Sequence, residues 1–229
     1  MIVNMATRPR ATDGAPTRSA YHHGDLSRAL VGAAWQLIES RGHARLTLRD
    51  TAQAAGVSAA APYRHYADRE ALIAAVLTQG FEDLAQRTRS ARDAAPDTLD
   101  ALLAVGMAYV RFAAAHPAIY RLMFGPECDK SAHPTLLAAG QQALSVLLDA
   151  VAACQRAGRV PGDDPKMVAL AGWALSHGLA SLHADGILGA AFPMPLEDIA
   201  RAVVPMLIQG VRAPNLPAGP RGRVGVRPR

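Results

Sequence analysis

Aromatic side chains make up 5% of this 229-residue sequence, although half of it is apolar. The apolar fraction is carried largely by Ala and Leu, which favour helix over strand. No stretch of strict period-two alternation bounded by turn residues occurs, so nothing reads as a sheet. No uninterrupted apolar run approaches the roughly 18 residues that span a bilayer. The opening Met1-Ile2-Val3 is too short for a signal-peptide core. The expectation is a cytoplasmic protein with no membrane partner. Cys128 and Cys154 are the two cysteines. Without Cys-x-x-Cys spacing they suggest neither a disulfide framework nor a structural zinc site, and both read as free thiols. A nucleophile with its base, a phosphate-cradling glycine loop and a paired-carboxylate motif are also missing. The chain therefore reads as no enzyme, with no cofactor and no metal.

What is present is helical. The length allows one large domain or two small ones. The net charge of +5 is unevenly placed: residues 1 to 70 carry nine Arg against six acids, and the stretch from 213 onward carries four Arg and no acid. The middle is mildly acidic, so nucleic acid, if bound, is bound by the ends. Residues 1–20 and 213–229 lack periodicity and mix Arg with Pro and Gly, the composition of a flexible basic arm and a disordered basic tail. Either can add salt-sensitive phosphate attraction or serve only solubility.

Between them the spacing predicts about nine helices. The first runs from about Asp25 to Ser40, with Gly42 past its end. A second is capped by Thr47 with Asp50 as its partner, and stops at Gly56. Ser58 caps a third, and Asp68 a fourth with Leu72, Val76, Gly80 and Leu84 on its buried stripe. Longer helices follow over Thr98–Ala115, Pro134–Ala157, Pro165–Gly186 and Leu196–Gly210, with a short one around Ala118–Phe124. Pro205 predicts a kink or broken turn in the last.

The segment from Thr47 to Leu72 carries the specific signal. Two short capped helices joined by Ala55-Gly56-Val57-Ser58 form a helix-turn-helix. Gly56 suits a left-handed helix end, Val57 plugs the space between the helices, and Ser58 accepts a backbone hydrogen bond. The small Ala59, Ala60 and Ala61 let the backbone approach a major-groove floor, where their methyls meet thymine methyls. Pro62 falls in the first turn, where it removes few donors. Tyr63, Arg64 and His65 supply donors for phosphates and base edges, with Arg64 suited to a guanine edge; His65 equally fits packing and hydrogen bonding within the domain. Arg69, at the start of the fourth helix, suits a phosphate. Tyr66 reads as a core plug.

Thr-x-Arg at 47–49, Ala-Gly-Val-Ser at 55–58, Tyr-x-His-Tyr at 63–66 and Asp-Arg-Glu-x-Leu at 68–72 resemble the signature of the TetR family of bacterial repressors. The run Tyr21-His22-His23-Gly24-Asp25-Leu26 is similar to the start of the first helix in one branch of that family. Arg69 stands where Lys is usual, and Tyr66 where Phe is usual. The resemblance implies that Thr47, Tyr63 and Arg69 hold phosphates and that residues 59–65 supply base contacts. Arg49 is either a further contact or a solvated charge. A head over residues 21–72 would then precede a regulatory and dimerisation domain over 73–212. One such unit covers a half-site, and specific binding uses two about 34 Å apart, which implies a homodimer on a palindromic double-stranded operator.

The second half gathers Met107, Tyr109, Phe112, Tyr120, Met123 and Phe124, which fit either the lining of a small-molecule cavity or a plain core. Trp173 and His177 lie one turn apart, with Gly178 following. That trio resembles the Trp, His and Gly that name one C-terminal domain class among these regulators. His177 reads as a ligand hydrogen-bonder, a pH-sensitive group or a satisfied interior histidine. The small residues Ala169, Gly172, Ser176 and Ala180, together with Val203, Met206, Leu207 and Ile208, offer two faces for a dimer. The resemblance places the interface here as a four-helix bundle. It also implies repression relieved by a small-molecule effector. Rival readings are a helical enzyme using His177, His183 and Asp185; a metal sensor using His116, His133, Cys128 and Cys154, whose spacing fits no compact site; and a purely structural helical protein.

Overall fold

A computed structural model describes residues 23–161 and 164–212. The arm over 1–20, the tail over 213–229 and the side chains of Leu207 and Ile208 lie outside the described residues. Among the described residues there are nine α-helices and no strand. They are α1 (His23–Arg41), α2 (Leu48–Ala54), α3 (Arg69–Asp93), α4 (Thr98–Ala115), α5 (Pro117–Phe124), α6 (Pro134–Arg156), α7 (Pro165–Ala184), α8 (Ile187–Ala191) and α9 (Leu196–Arg212).

The caps form as the residue types dictate. Thr47, Asp68, Asp97 and Asp164 each accept a hydrogen bond from the backbone N–H of a first-turn residue, at 2.8 to 3.0 Å. Gly42 and Gly56 end α1 and α2 at φ 77° and 69°, in the left-handed region that a side chain would strain.

One expectation is corrected and another narrowed. The helix predicted from Ser58 is a chain of tight turns ending in a 3₁₀ turn over Pro62–Arg64. Pro62 has no N–H to return to the carbonyl of Ser58, so that carbonyl accepts instead from Ala61, three residues on, at 2.9 Å. No side-chain cap is made there. Of the two outcomes expected at Pro205, the broken turn does not occur: α9 runs through it as one helix. The structure also adds α8, which starts after Gly186 turns the chain at φ 74°.

Helices α1 and α2 pack with the first turns of α3 into a head. The same α3 continues into the body, where it lies against α4, α5 and α6. The boundary expected at residue 72 therefore falls inside a continuous helix. One hydrophobic core runs from Leu30, Trp35 and Ile38 in the head through Leu72, Val76 and Leu77 to Phe112, Ile119 and Met123 in the body. Helices α4 and α6 are long and apolar enough to cross a bilayer by composition alone; here they pack on α3 and on each other.

The crossing of α3 and α5 is close because residue 80 is glycine. A Cβ there would stand 2.9 Å from Met123 Sδ and 3.4 Å from Ile119 Cγ2, both on fully buried side chains. Gly80→Val is expected to lower folding stability by about 1–3 kcal/mol through overpacking, read as a reduced denaturant midpoint with an unchanged slope.

Candidate nucleic-acid interface and ligand cavity

The head turns one side inward and leaves the other bare. Leu48, Thr51, Ala52, Pro62 and Tyr66 are buried, whereas Thr47, Arg49, Ser58, Ala59, Ala60, Tyr63 and Arg64 are exposed. Ala61 and His65 are half-buried. Gly56 and Val57 return their N–H groups to Gln53 and Ala52 at 3.1 and 3.0 Å, which fixes the sharp turn after α2. Tyr66 is the expected plug: its hydroxyl lies 2.9 Å from that of Ser27 on α1. Tyr63 is 61% exposed, a high value for so large a side chain with no packing role to explain it.

Two residues that the resemblance assigns to phosphates have internal duties. Thr47 Oγ1 accepts from the Asp50 N–H and donates to the Asp50 carboxylate at 2.6 Å. Arg69 reaches back under the turn before α2. Its Nε donates to the carbonyl of Leu46 at 3.0 Å and its Nη2 to that of His43 at 2.6 Å. Arg69 thereby pins the start of the helix-turn-helix to the first residue of α3.

The body encloses a cavity of about 400 Å³. Phe81 and Leu84 of α3, Leu144 and Leu147 of α6, and Val105 of α4 form its apolar walls. Of the residues expected at a ligand, Tyr109, Met123, Phe124 and Trp173 line it. The other four stand elsewhere. Phe112 is fully buried, with its ring 5.3 Å from that of His116. Met107 packs among residues of α7 and α9. Tyr120 and His177 sit behind Tyr109, linked to it by hydrogen bonds. Sequence spacing did not point to the α3 and α6 walls, because Leu and Ala at helical period read equally as core.

Behind the cavity wall a polar chain crosses three helices. Trp173 Nε1–H donates to the Tyr109 hydroxyl at 3.3 Å, which is 3.2 Å from the Tyr120 hydroxyl. Tyr120 Oη lies 2.7 Å from His177 Nδ1, and Tyr109 Oη 3.0 Å from it. A neutral imidazole with its proton on Nε2 leaves one acceptor at Nδ1, and the shorter contact makes Tyr120 its donor. Every hydroxyl in the chain then both donates and accepts. Burial holds the His177 ring below the usual imidazole range and pushes the Tyr109 and Tyr120 hydroxyls up, so all three are uncharged at neutral pH.

A second contact ties head to body. Glu39, on α1, accepts from the N–H groups of Ile119 and Ala118 at 3.2 and 3.4 Å, capping the start of α5 from outside. His116 Nδ1 lies 4.0 Å from the same carboxylate, and the Trp35 ring stands edge-on to His116 at 5.0 Å. Nothing in the local sequence around Glu39 marks it, since its partners lie 79 and 80 residues away.

The expected dimer residues are redistributed. Ala169, Ser176 and Ala180 are buried within the subunit and cannot reach a partner. Their small size serves the inner packing of α7, where a Cβ on Gly106 of α4 would come 3.5 Å from Ser176 Oγ. The solvent side of α7 is instead apolar: Met167, Leu170, Ala174 and Leu182 are exposed along one stripe. Gly172 and Val203 are half-buried, and Met206 of α9 is 62% exposed. The enzyme grouping does not assemble. His177 is held by the tyrosines, while Asp185 pairs with Arg121 at 3.3 Å.

Residues 30–76 match the family model described as bacterial regulatory proteins, tetR family, and residues 102–207 match one described as a tetracyclin repressor-like C-terminal domain. A protein of unknown function from Rhodococcus sp. RHA1 is 33% identical, with a TM-score of 0.74 over 84% of this chain and 98% of that one. The chain belongs to the TetR family. A tetR-family regulatory protein from Rhodococcus RHA1 shares its fold at 21% identity, TM-score 0.61, over 81% of this chain and 96% of that one. So does the fatty acid degradation regulator FadR from Bacillus halodurans, at 16% identity, TM-score 0.68, over 83% and 98%. No functionally curated protein matches the chain. As a TetR-family member it is a DNA-binding transcriptional regulator.

The polar chain predicts a pH signature. The native state holds His177 neutral, so the unfolded chain takes up this proton at higher pH than the folded one. The stabilisation is complete above the unfolded value of about 6.5 and is lost as pH falls towards the folded value. Between about pH 7.5 and 5, wild-type stability is expected to fall more steeply than that of His177→Gln. Equal slopes in urea titrations would remove His177 from this role.

Proposed function

We propose that this TetR-family regulator is a cytoplasmic repressor that binds a palindromic operator as a homodimer and releases it when an apolar small molecule enters the body cavity. The observation that carries the DNA half of this reading is the exposure of Thr47, Arg49, Ser58–Ala60, Tyr63 and Arg64 in and around the helix-turn-helix, with Tyr63 61% exposed and given no packing role. The alanines allow close approach to the groove, Arg64 reads a base edge, and Tyr63 and Arg49 reach phosphates. Thr47 meets a phosphate through its remaining acceptor capacity. Arg69 acts by holding the turn that positions them.

The cavity walls are mostly hydrocarbon, with Tyr109, Trp173, Thr88, Ser176 and Lys130 as the polar lining residues, which suits a largely apolar ligand carrying a few polar groups. The Bacillus halodurans fold neighbour is a regulator of fatty acid degradation; at its level of identity the ligand class here rests on the cavity itself. Entry displaces Met123 and Phe124, which belong to α5. Because Glu39 fixes the start of α5 to α1, movement of α5 reaches the head, as does movement along α3. A coupling of about 1–3 kcal/mol changes operator affinity roughly 5- to 150-fold.

The dimer forms on the exposed stripe of α7 together with α9, in a four-helix bundle. An apolar stripe of this kind, with Leu170 49% and Met167 61% exposed, is the mark of a covered surface.

Two experiments test the reading. Replacing Tyr63 and Arg64 by Ala is expected to abolish operator binding with helicity unchanged; retained sequence-specific binding sinks the assignment. Leu170→Glu is expected to yield a helical monomer in sedimentation and to lose two-half-site binding, whereas an unchanged dimer moves the interface elsewhere.

A further inference from the structure

The loop between α5 and α6 brings two metal-ligating side chains to the first turn of α3. Cys128 and His133 approach Glu70, and their Sγ, imidazole nitrogen and carboxylate oxygen all lie within 4.8 Å of one another. His133 Nε2 is 3.6 Å from Glu70 Oε1. Cys128 is 4% exposed, so the thiol forms the inner wall and the more open carboxylate the outer one.

From these residues we infer a zinc site made of Cys128 Sγ, His133 and Glu70, with a fourth position open to water. Thiolate, imidazole and carboxylate are the borderline donors that zinc prefers to oxygen-only sets. Two anionic ligands also balance a divalent charge. Tetrahedral bonds of roughly 2.0–2.3 Å place ligand atoms about 3.3–3.8 Å apart, so the pair already at 3.6 Å is in register. The other separations, within 4.8 Å, close by small rotations of the Glu70 and His133 side chains, both partly exposed. Burial and the neighbouring Glu70 both push the Cys128 thiol up. A bound cation offsets both effects and releases the thiol proton to solvent.

The position matters as much as the chemistry. Glu70 follows Arg69, whose guanidinium holds the carbonyls of His43 and Leu46 below the helix-turn-helix. A metal there joins the base of the head to the loop that precedes α6. The sequence pattern could not assemble the site, because Glu70 stands in the helix-turn-helix signature and its partners lie about sixty residues on. The neighbouring Lys130 directs its ammonium to the carbonyl of Gly125 at 2.7 Å, and the Asp129 carboxylate is taken by Ser131.

The test uses tag-free, metal-stripped full-length protein titrated with Co²⁺. One equivalent per subunit is expected to give the intense thiolate-to-cobalt charge-transfer band and tetrahedral visible bands, and Zn²⁺ is expected to bleach both. Cys128→Ser and His133→Gln should abolish the charge-transfer band at unchanged helicity, Glu70→Gln should weaken Co²⁺ binding on the order of tenfold, and Cys154→Ser should leave the spectrum intact. Cys154 is buried elsewhere, donating to the carbonyl of Thr98 at 2.7 Å. Absence of the band in the wild type, or its persistence in Cys128→Ser, overturns the site. Should both substitutions prevent folding, full Co²⁺ affinity in Glu70→Gln overturns it as well.

Discussion

The grip of one carboxylate on the start of a short helix joins the two halves of this molecule. Helix α5 has eight residues, too few to persist by itself in water, and it opens with Pro117 after a His116 that provides no side-chain cap. Its first free N–H groups, at Ala118 and Ile119, are answered by Glu39 from α1. A negative charge at a helix N-terminus is favourable in itself, and hydrogen bonds to a charged group contribute about 1.5–3 kcal/mol. The cap therefore specifies where α5 begins and which element it follows. Ile119, Tyr120, Leu122 and Met123 are all essentially inaccessible to water, so α5 is a wedge driven between head and body whose outer end is held by the head.

The inner side of the wedge is fastened differently. Tyr120 joins Tyr109 and His177, and through Tyr109 reaches Trp173, so α4, α5 and α7 share one chain of donors and acceptors. In low dielectric a chain of this kind favours one arrangement strongly, because any member turned away leaves a buried polar group unpaired. Tyr109 and Trp173 also face the cavity. The same two side chains thus belong to the hydrogen-bond chain and to the surface that a ligand would press on.

Caps and turns were legible in the sequence because they are local. Thr47, Asp68, Gly42 and Gly56 act on residues within one turn of themselves, and helix periodicity placed α4, α5 and α6 to within a residue or so. Pro62 was legible as a residue but not in its effect. Placed at the first turn of a helix it is harmless, yet here it falls four residues after Ser58 and removes the bond that would have made the segment α-helical. The stripe of small residues on α7 misled for a related reason. Ala and Ser mark close helix packing wherever it occurs, and here it occurs inside the subunit against α4. Glu39, Glu70 and the α6 wall of the cavity depend on which helices meet, and no local pattern carries that.

The seam between head and body is chemically unlike either half. Three histidine–carboxylate pairs cross it: His116 with Glu39 at 4.0 Å, His43 with Glu127 at 4.0 Å, and His133 with Glu70 at 3.6 Å. All six side chains are partly exposed, so water screens each pair and none of them rivals the apolar core in strength. The core beneath is continuous through α3 and resists separation, while among the described residues small displacements along the seam are opposed by these pairs and by the Glu39 cap. A regulator needs a coupling of about 1–3 kcal/mol between its two sites, which is comparable to the Glu39 cap. A rigid core with a lightly held polar seam therefore matches the energetic scale that the proposed ligand-linked release requires, since the core keeps the head attached while the contacts at α5 are weak enough to exchange.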